Sequence, residues 1–157
     1  MYGHMWDLVV INGNNYFVDV TWDDPVSRVN AISYAYFNVT NEMISKTHTG
    51  ISPVGIVCNS TKDNFFVKEN LYFTESGSYF ESRMISAVVY YSSQHKSTIE
   101  FRFSDEKVYK NAVEKMMGEN LIRKAFESAG IIEKNKGFTI NYSENESTLT
   151  FRLYLEG

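Results

Sequence analysis

His4-Met5-Trp6-Asp7-Leu8-Val9-Val10-Ile11-Asn12-Gly13-Asn14-Asn15-Tyr16-Phe17-Val18-Asp19-Val20-Thr21-Trp22 holds two alternating runs on either side of an Asn-Gly pair. Trp6, Leu8 and Val10 alternate with Asp7, Val9 and Ile11, and Tyr16, Val18 and Val20 alternate with Phe17 and Asp19. Asn-Gly between such runs is a strong hairpin signal, because a type I′ turn needs positive φ at both central residues. The spacing therefore predicts a hairpin over 4–22. Both of its faces are mostly apolar, which predicts a central position covered on both sides. Asp23-Asp24-Pro25 should end the second strand, since proline cannot donate to a ladder and aspartate favours turns. A two-residue loop pairs Ile11 with Asn14, Trp6 with Asp19 and His4 with Thr21, placing His4 and Asp19 diagonally on one face, with Cβ atoms about 7–8 Å apart.

Outward from the hairpin the pattern weakens. Thr40 is a plausible cap for a short helix over about 41–46, and Asn64-Phe65-Phe66-Val67 and Leu71-Tyr72-Phe73 read as short buried or extended pieces. The remainder is clearer. Phe80, Met84, Val88 and Tyr91 recur at helical spacing, and Ile99, Phe101 and Phe103 alternate as a strand. Ser104 is a candidate N-cap for a helix striped by Val108, Ala112, Val113, Met116 and Met117, which Gly118 stops. Leu121, Ile122, Ala125, Phe126 and Ala129 form a second stripe ending at Gly130, read as a C′ glycine. Phe138, Ile140 and Tyr142 alternate, Ser143 to Glu146 turn, and Leu149, Phe151, Leu153 and Leu155 alternate back. The fold class expected is α+β: an antiparallel sheet built on the 4–22 hairpin, then a helix-strand-helix-helix-hairpin module. Two regions result, 1–75 and 76–157, packed directly on each other because no flexible linker separates them.

The composition is that of an ordinary globular chain: 157 residues, 43% hydrophobic and 22% charged, with 15% aromatic residues that suit sheet surfaces. A net charge of −4 without a basic run argues against nucleic acid as a partner. Cys58 is the single cysteine, which excludes an internal disulfide and a cysteine-rich zinc site. No apolar run reaches spanning length, so no membrane partner is expected. Four Asn-x-Ser/Thr matches, at Asn38, Asn59, Asn141 and Asn145, are common by chance and carry no weight.

The residues with chemistry are few. An acidic side chain beside an imidazole fixes its tautomer and stabilises the imidazolium, as a base serving a thiol requires, so His4 and Asp19 are the candidate pair. Cys58 comes after the apolar Gly55-Ile56-Val57 and reads as a small buried hydrophobe. His48 and His95 lack ligand spacing and read as solvated or loop residues. Asp23-Asp24 is explained by the turn, and Tyr90-Tyr91 and Met116-Met117 by core packing. No metal site and no cofactor are expected.

Gly3-His4-Met5-Trp6-Asp7, Val9-Val10-Ile11-Asn12-Gly13 and Tyr16-Phe17-Val18-Asp19-Val20-Thr21-Trp22-Asp23-Asp24-Pro25 together resemble the His/Asp region of bacterial transglutaminase-like domains. Tyr36-Phe37-Asn38-Val39-Thr40, Ser45-Lys46-Thr47-His48-Thr49 and Asn64-Phe65-Phe66-Val67 also resemble the segments downstream of that motif in bacterial members. The likeness is specific over about 3–25, weaker to about 75 and loose beyond. It implies a papain-like core with a Cys-His-Asp order, in which His4 is the general base and acid, Asp19 orients it, and Trp6 and Trp22 wall the substrate site. The implied reaction is acyl transfer through a thioester, on a protein or peptide amide, released by water or an amine, in an extracellular or cell-envelope setting. That family's nucleophilic cysteine lies upstream of the histidine, and only Met1 to Gly3 precede His4. The expectation is therefore a truncated or degenerate domain, inactive alone, or else a non-catalytic binding or cell-surface interaction module on the same scaffold. Loss of the helix that carries the nucleophile should leave Trp6, Leu8, Val10 and Phe17 uncovered, which predicts a homo-oligomer.

Overall fold

The structure, a computed structural model, describes residues 5–23, 32–51, 55–118 and 120–156. Its secondary structure is mixed: six helices and two small sheets among the described residues, an α+β fold. The chain divides into two compact units, Met1–Asn70 and Leu71–Gly157.

The first unit is built on the hairpin of β1 (Asp7–Ile11) and β2 (Asn14–Val18). Asn12 and Gly13 both take positive φ, 51° and 79°, and Ile11 pairs with Asn14, the register of a two-residue loop. The hairpin is not covered on both sides. Tyr16, Phe17 and Val18 are buried, whereas Val10 is 65% and Leu8 37% exposed, so β1 is an exposed outer strand. On its other edge β2 meets the segment around Val39, through an isolated antiparallel bridge in which Phe17 and Val39 exchange both backbone hydrogen bonds.

The second strand is also shorter than its alternation predicts. It ends at Val18, and Val20–Asp23 forms one helical turn, α1. Asp19 is the cause: its Oδ1 accepts the Trp22 N–H at 3.1 Å and its carbonyl accepts the Asp23 N–H, which is how an aspartate caps a helix. The Trp6–Asp19 pairing thus lies beyond the ladder, which among the described residues runs from Asp7–Val18 to Ile11–Asn14, and the His4–Thr21 pairing falls outside the described residues. Asp23, also buried, accepts the Tyr36 N–H at 2.7 Å and through its carbonyl the Ser33 N–H, tying the returning chain to α1.

Short helices complete this unit. In α2 (Asn41–Ser45) the Thr40 hydroxyl caps the Met43 N–H, as expected from the sequence. The stretch at 64–67, read as a short buried or extended piece, is buried at Asn64 and Phe66 but forms a helical turn, α3 (Phe65–Lys68), because the Asn64 side chain accepts the Phe66 N–H while its amide donates to the carbonyls of Phe37 and Asn38. Phe17, Ala35, Tyr36, Val39, Ile44 and Cys58 form the apolar cluster, with Trp6, Met43, Ile51 and Ile56 packed against it. The expected uncovered face is corrected accordingly. Phe17 is covered by the chain's own Ala35, Tyr36, Val39, Ile44 and Cys58, and Trp6 is half-buried, leaving Leu8 and Val10 exposed.

The second unit has a four-stranded sheet in the order β3-β4-β6-β5: β3 (Tyr72–Phe73) parallel to β4 (Thr98–Phe103), then antiparallel β6 (Thr150–Tyr154) and β5 (Tyr142–Asn145). Helices α4 (Ser78–Ser93), α5 (Glu106–Gly118) and α6 (Leu121–Ser128) pack with it, α4 and α5 against α6 and against β4. Phe73, Phe80, Phe101, Phe103, Phe126 and Phe151 are buried, each ring removing from water surface that stabilises by about 1.5–3 kcal/mol. The cap of α5 is Asp105, whose Oδ1 accepts the Val108 N–H, while Ser104 donates to Asp105. The strand read over 138–142 sits later, at β5, because the turn falls at 146–149, where Leu149 takes φ 55°. Tyr91 is half-buried, but Tyr90 and Met117 are exposed, so neither pair is wholly core. Among the described residues no helix is long and apolar enough to cross a membrane.

Candidate functional site

Of the sequence-derived site residues, Asp19, Trp6 and Trp22 come together around one point in the first unit; His4 lies outside the described residues. Asp19 sits between β2 and α1, with no solvent exposure. Its two oxygens have different partners: Oδ1 takes the Trp22 N–H, and Oδ2 lies 2.7 Å from Nε2 of His48. This histidine, read from sequence as a solvated or loop residue, is 5% exposed. His95 does fit that reading: it is exposed and has φ 55° just past the end of α4.

The position of His48 is set by α2. The helix ends at Ser45, and the N–H groups of Thr47 and His48 both return to the Ile44 carbonyl, so the chain tightens and aims the imidazole inward. The Thr47 hydroxyl lies 2.8 Å from Nδ1. With Asp19 ionised, a carboxylate can only accept, so Nε2 carries hydrogen. Two arrangements then satisfy Nδ1: the Thr47 hydroxyl donates to a neutral ring, or an imidazolium N–H donates to Thr47 Oγ1 while that hydroxyl turns to the Ile44 carbonyl, 3.4 Å away. Both ring nitrogens are engaged in either arrangement.

Three aromatic rings enclose the imidazole. Centroid distances from His48 are 5.0 Å to Trp6 (edge-on), 4.5 Å to Trp22 and 5.2 Å to Tyr36, and Trp22 also packs edge-on against Tyr36. Packed in this way the three rings shield the imidazole from water, in keeping with its 5% exposure. Trp22 remains 42% exposed, so the box has one aromatic wall open to solvent.

Cys58 is not part of this arrangement. It is 1% exposed within the apolar cluster, its N–H donates to the Asn41 side chain, and burial pushes its thiol above the ordinary value. Both the burial and the raised value oppose a thiolate. A second polar cluster lies near the start of β2, where the Tyr16 hydroxyl is 3.0 Å from both Asp63 and Ser60, and Lys68 pairs with Asp63 at 2.8 Å. It ties the segment before α3 to the hairpin. Among the described residues no group of three or more His, Cys, Asp or Glu side chains is placed to hold a metal ion.

Sequence reasoning missed His48 because its partner is 29 residues away and neither periodicity nor ligand spacing links them. The only signal lay in Ser45-Lys46-Thr47-His48-Thr49, one of the segments carrying the family resemblance. No protein-family model and no curated protein matches the chain.

Proposed function

We propose that this chain carries the His/Asp part of a transglutaminase-like thiol acyl-transfer site, derived from a papain-like core, and that by itself it performs no turnover. The observation that supports this most is the Asp19 carboxylate, the residue to which the resemblance assigns the orienting role: it is fully buried and accepts at both oxygens, and the His48 ring it meets packs against Trp6 and Trp22. In the parent reaction a thiolate attacks an amide carbonyl, His4 takes the thiol proton and returns it to the leaving amine, and Asp19 holds the imidazole and stabilises its charge. Cys58 cannot supply that thiolate from inside the apolar cluster, so the nucleophile is not among these residues. Without it little catalysis remains.

A carboxylate that orients His4 favours the imidazolium, so Asp19→Asn lowers the midpoint of the His4 ring titration by about one unit or more, read by NMR. The wild-type chain is expected to show no peptidase, amidase or amine-capture activity on peptide amides. An unchanged His4 midpoint, or a turnover abolished both by a thiol reagent and by Cys58→Ala, overturns the reading. The second reading, a non-catalytic binding module, draws on the exposed part of Trp22 beside exposed Val20. It shares the scaffold and dispenses with any coupling between Asp19 and His4, so the same titration separates the two.

A further inference from the structure

We propose that His48 is a positioning residue: its Nε2–H holds one oxygen of Asp19 while the Trp22 N–H holds the other, fixing the carboxylate to which the orienting role is assigned. The inference rests on the proposed roles of His4 and Asp19. It concerns a group that the Cys-His-Asp order does not contain.

The terminal rotation of an aspartate is broad and roughly two-fold, so each donor to a carboxylate oxygen narrows the orientations its plane can take. Capping α1 needs only Oδ1. The donor 2.7 Å from Oδ2 adds nothing to the cap and narrows the orientation of the carboxylate further. A packing role alone does not call for an imidazole here either. Trp6, Trp22 and Tyr36 present apolar surfaces that an aliphatic side chain would fill, and replacing a buried polar pair by apolar groups is often neutral or stabilising. Finally, Thr47 fixes the other ring nitrogen, so the direction of Nε2 is set by the turn after α2 and not by Asp19 itself. Holding a ligand-orienting group through an outer partner that is itself held is how buried sites acquire fixed geometry.

The test is the NMR titration of His4 in the wild-type chain, Asp19→Asn, His48→Leu, His48→Asn and His48→Gln, with tryptophan emission confirming that each is folded. His48→Leu lowers the His4 midpoint in the same direction as Asp19→Asn, by at least about threefold in the protonation constant. His48→Gln restores it, because the glutamine amide nitrogen reaches about as far as Nε2 and donates to the same oxygen. His48→Asn, whose amide stops near the Nδ1 position, does not restore it, and this pair decides the matter if the leucine variant fails to fold. Were His48 acting only as a nearby positive charge, its removal would raise the His4 midpoint. A rise, or no change where Asp19→Asn does lower it, overturns the inference and leaves the assignment of His4 and Asp19 standing. A midpoint indifferent to Asp19→Asn overturns both.

Discussion

Removing His48 and Asp19 together should destabilise the first unit by clearly less than the sum of the two single losses. The pair is 2.7 Å apart with side chains 2% and 0% exposed, so His48→Leu leaves a carboxylate buried with its strongest donor gone. Hydrogen bonds to charged groups are worth about 1.5–3 kcal/mol, and breaking a buried pair from one side costs about 3–5 kcal/mol. A loss of about 3 kcal/mol is expected for His48→Leu. Asp19→Leu should cost about 4 kcal/mol, because the cap of α1 goes too, at about 1 kcal/mol. In the double variant neither polar partner is stranded, and the cost should fall short of the sum by about 2 kcal/mol or more, a coupling typical of residues in direct contact. The assay is built into the chain. Its two tryptophans, Trp6 and Trp22, both pack on His48, so emission followed through a urea titration reports the first unit. With a slope of about 1–3 kcal/mol/M, the single loss moves the midpoint by about 1–3 M urea. A His48→Leu cost under about 1 kcal/mol, or simple additivity in the double variant, would refute the description of a buried, mutually dependent pair.

Three other parts of the chain make further outcomes testable. The Tyr109 hydroxyl is the one buried side-chain polar atom without a hydrogen-bond partner among the described residues, so Tyr109→Phe should leave thermal stability unchanged or raise it by about 1 kcal/mol; a clear loss of stability would reveal a partner. Burial, aided by the charges of Glu144 and Glu146, pushes the Tyr109 phenol up to about 12, so the folded state keeps a proton the unfolded state releases from about 10; stability rises as pH climbs only if some other group outweighs this, because the Tyr109 contribution is lost once pH passes the folded value, and absorbance titration should show Tyr109→Phe removing the late-ionising tyrosine. Lys68 and then the Tyr16 hydroxyl hold the Asp63 carboxyl below its ordinary value, so its contribution is present above that value and lost as pH falls through the lowered one; Lys68→Ala should make acid unfolding of the first unit less steep, and an identical acid profile would show the pair to be inert. Cys58 should react with a thiol reagent only as the apolar cluster opens, in step with the loss of tryptophan signal; stoichiometric labelling of the folded chain within seconds would contradict its burial.

What the sequence by itself determined is what depends on neighbours along the chain. Asn12-Gly13 specifies its turn through backbone sterics, the 3.6-residue stripes specify α4, α5 and α6, and Thr40 and Gly130 mark helix ends, Gly130 with φ 71°. Each is a choice made within a few residues, so composition and spacing are enough to read it. Asp19 was legible as an important acid, but alternation carried it into a strand, because the side chain's competition for the Trp22 N–H is invisible to a period-two count. Only the tertiary structure decided that β2 stops there, that β1 is left outside, and that Tyr36, Val39 and Ile44 cover Phe17. It alone decided His48: an imidazole is equally at home in water or in a box of rings, and what tips it inward is a carboxylate and three aromatic rings brought together from both sides of a chain reversal. Contacts across such distances depend on how already formed pieces pack, and no local pattern encodes them.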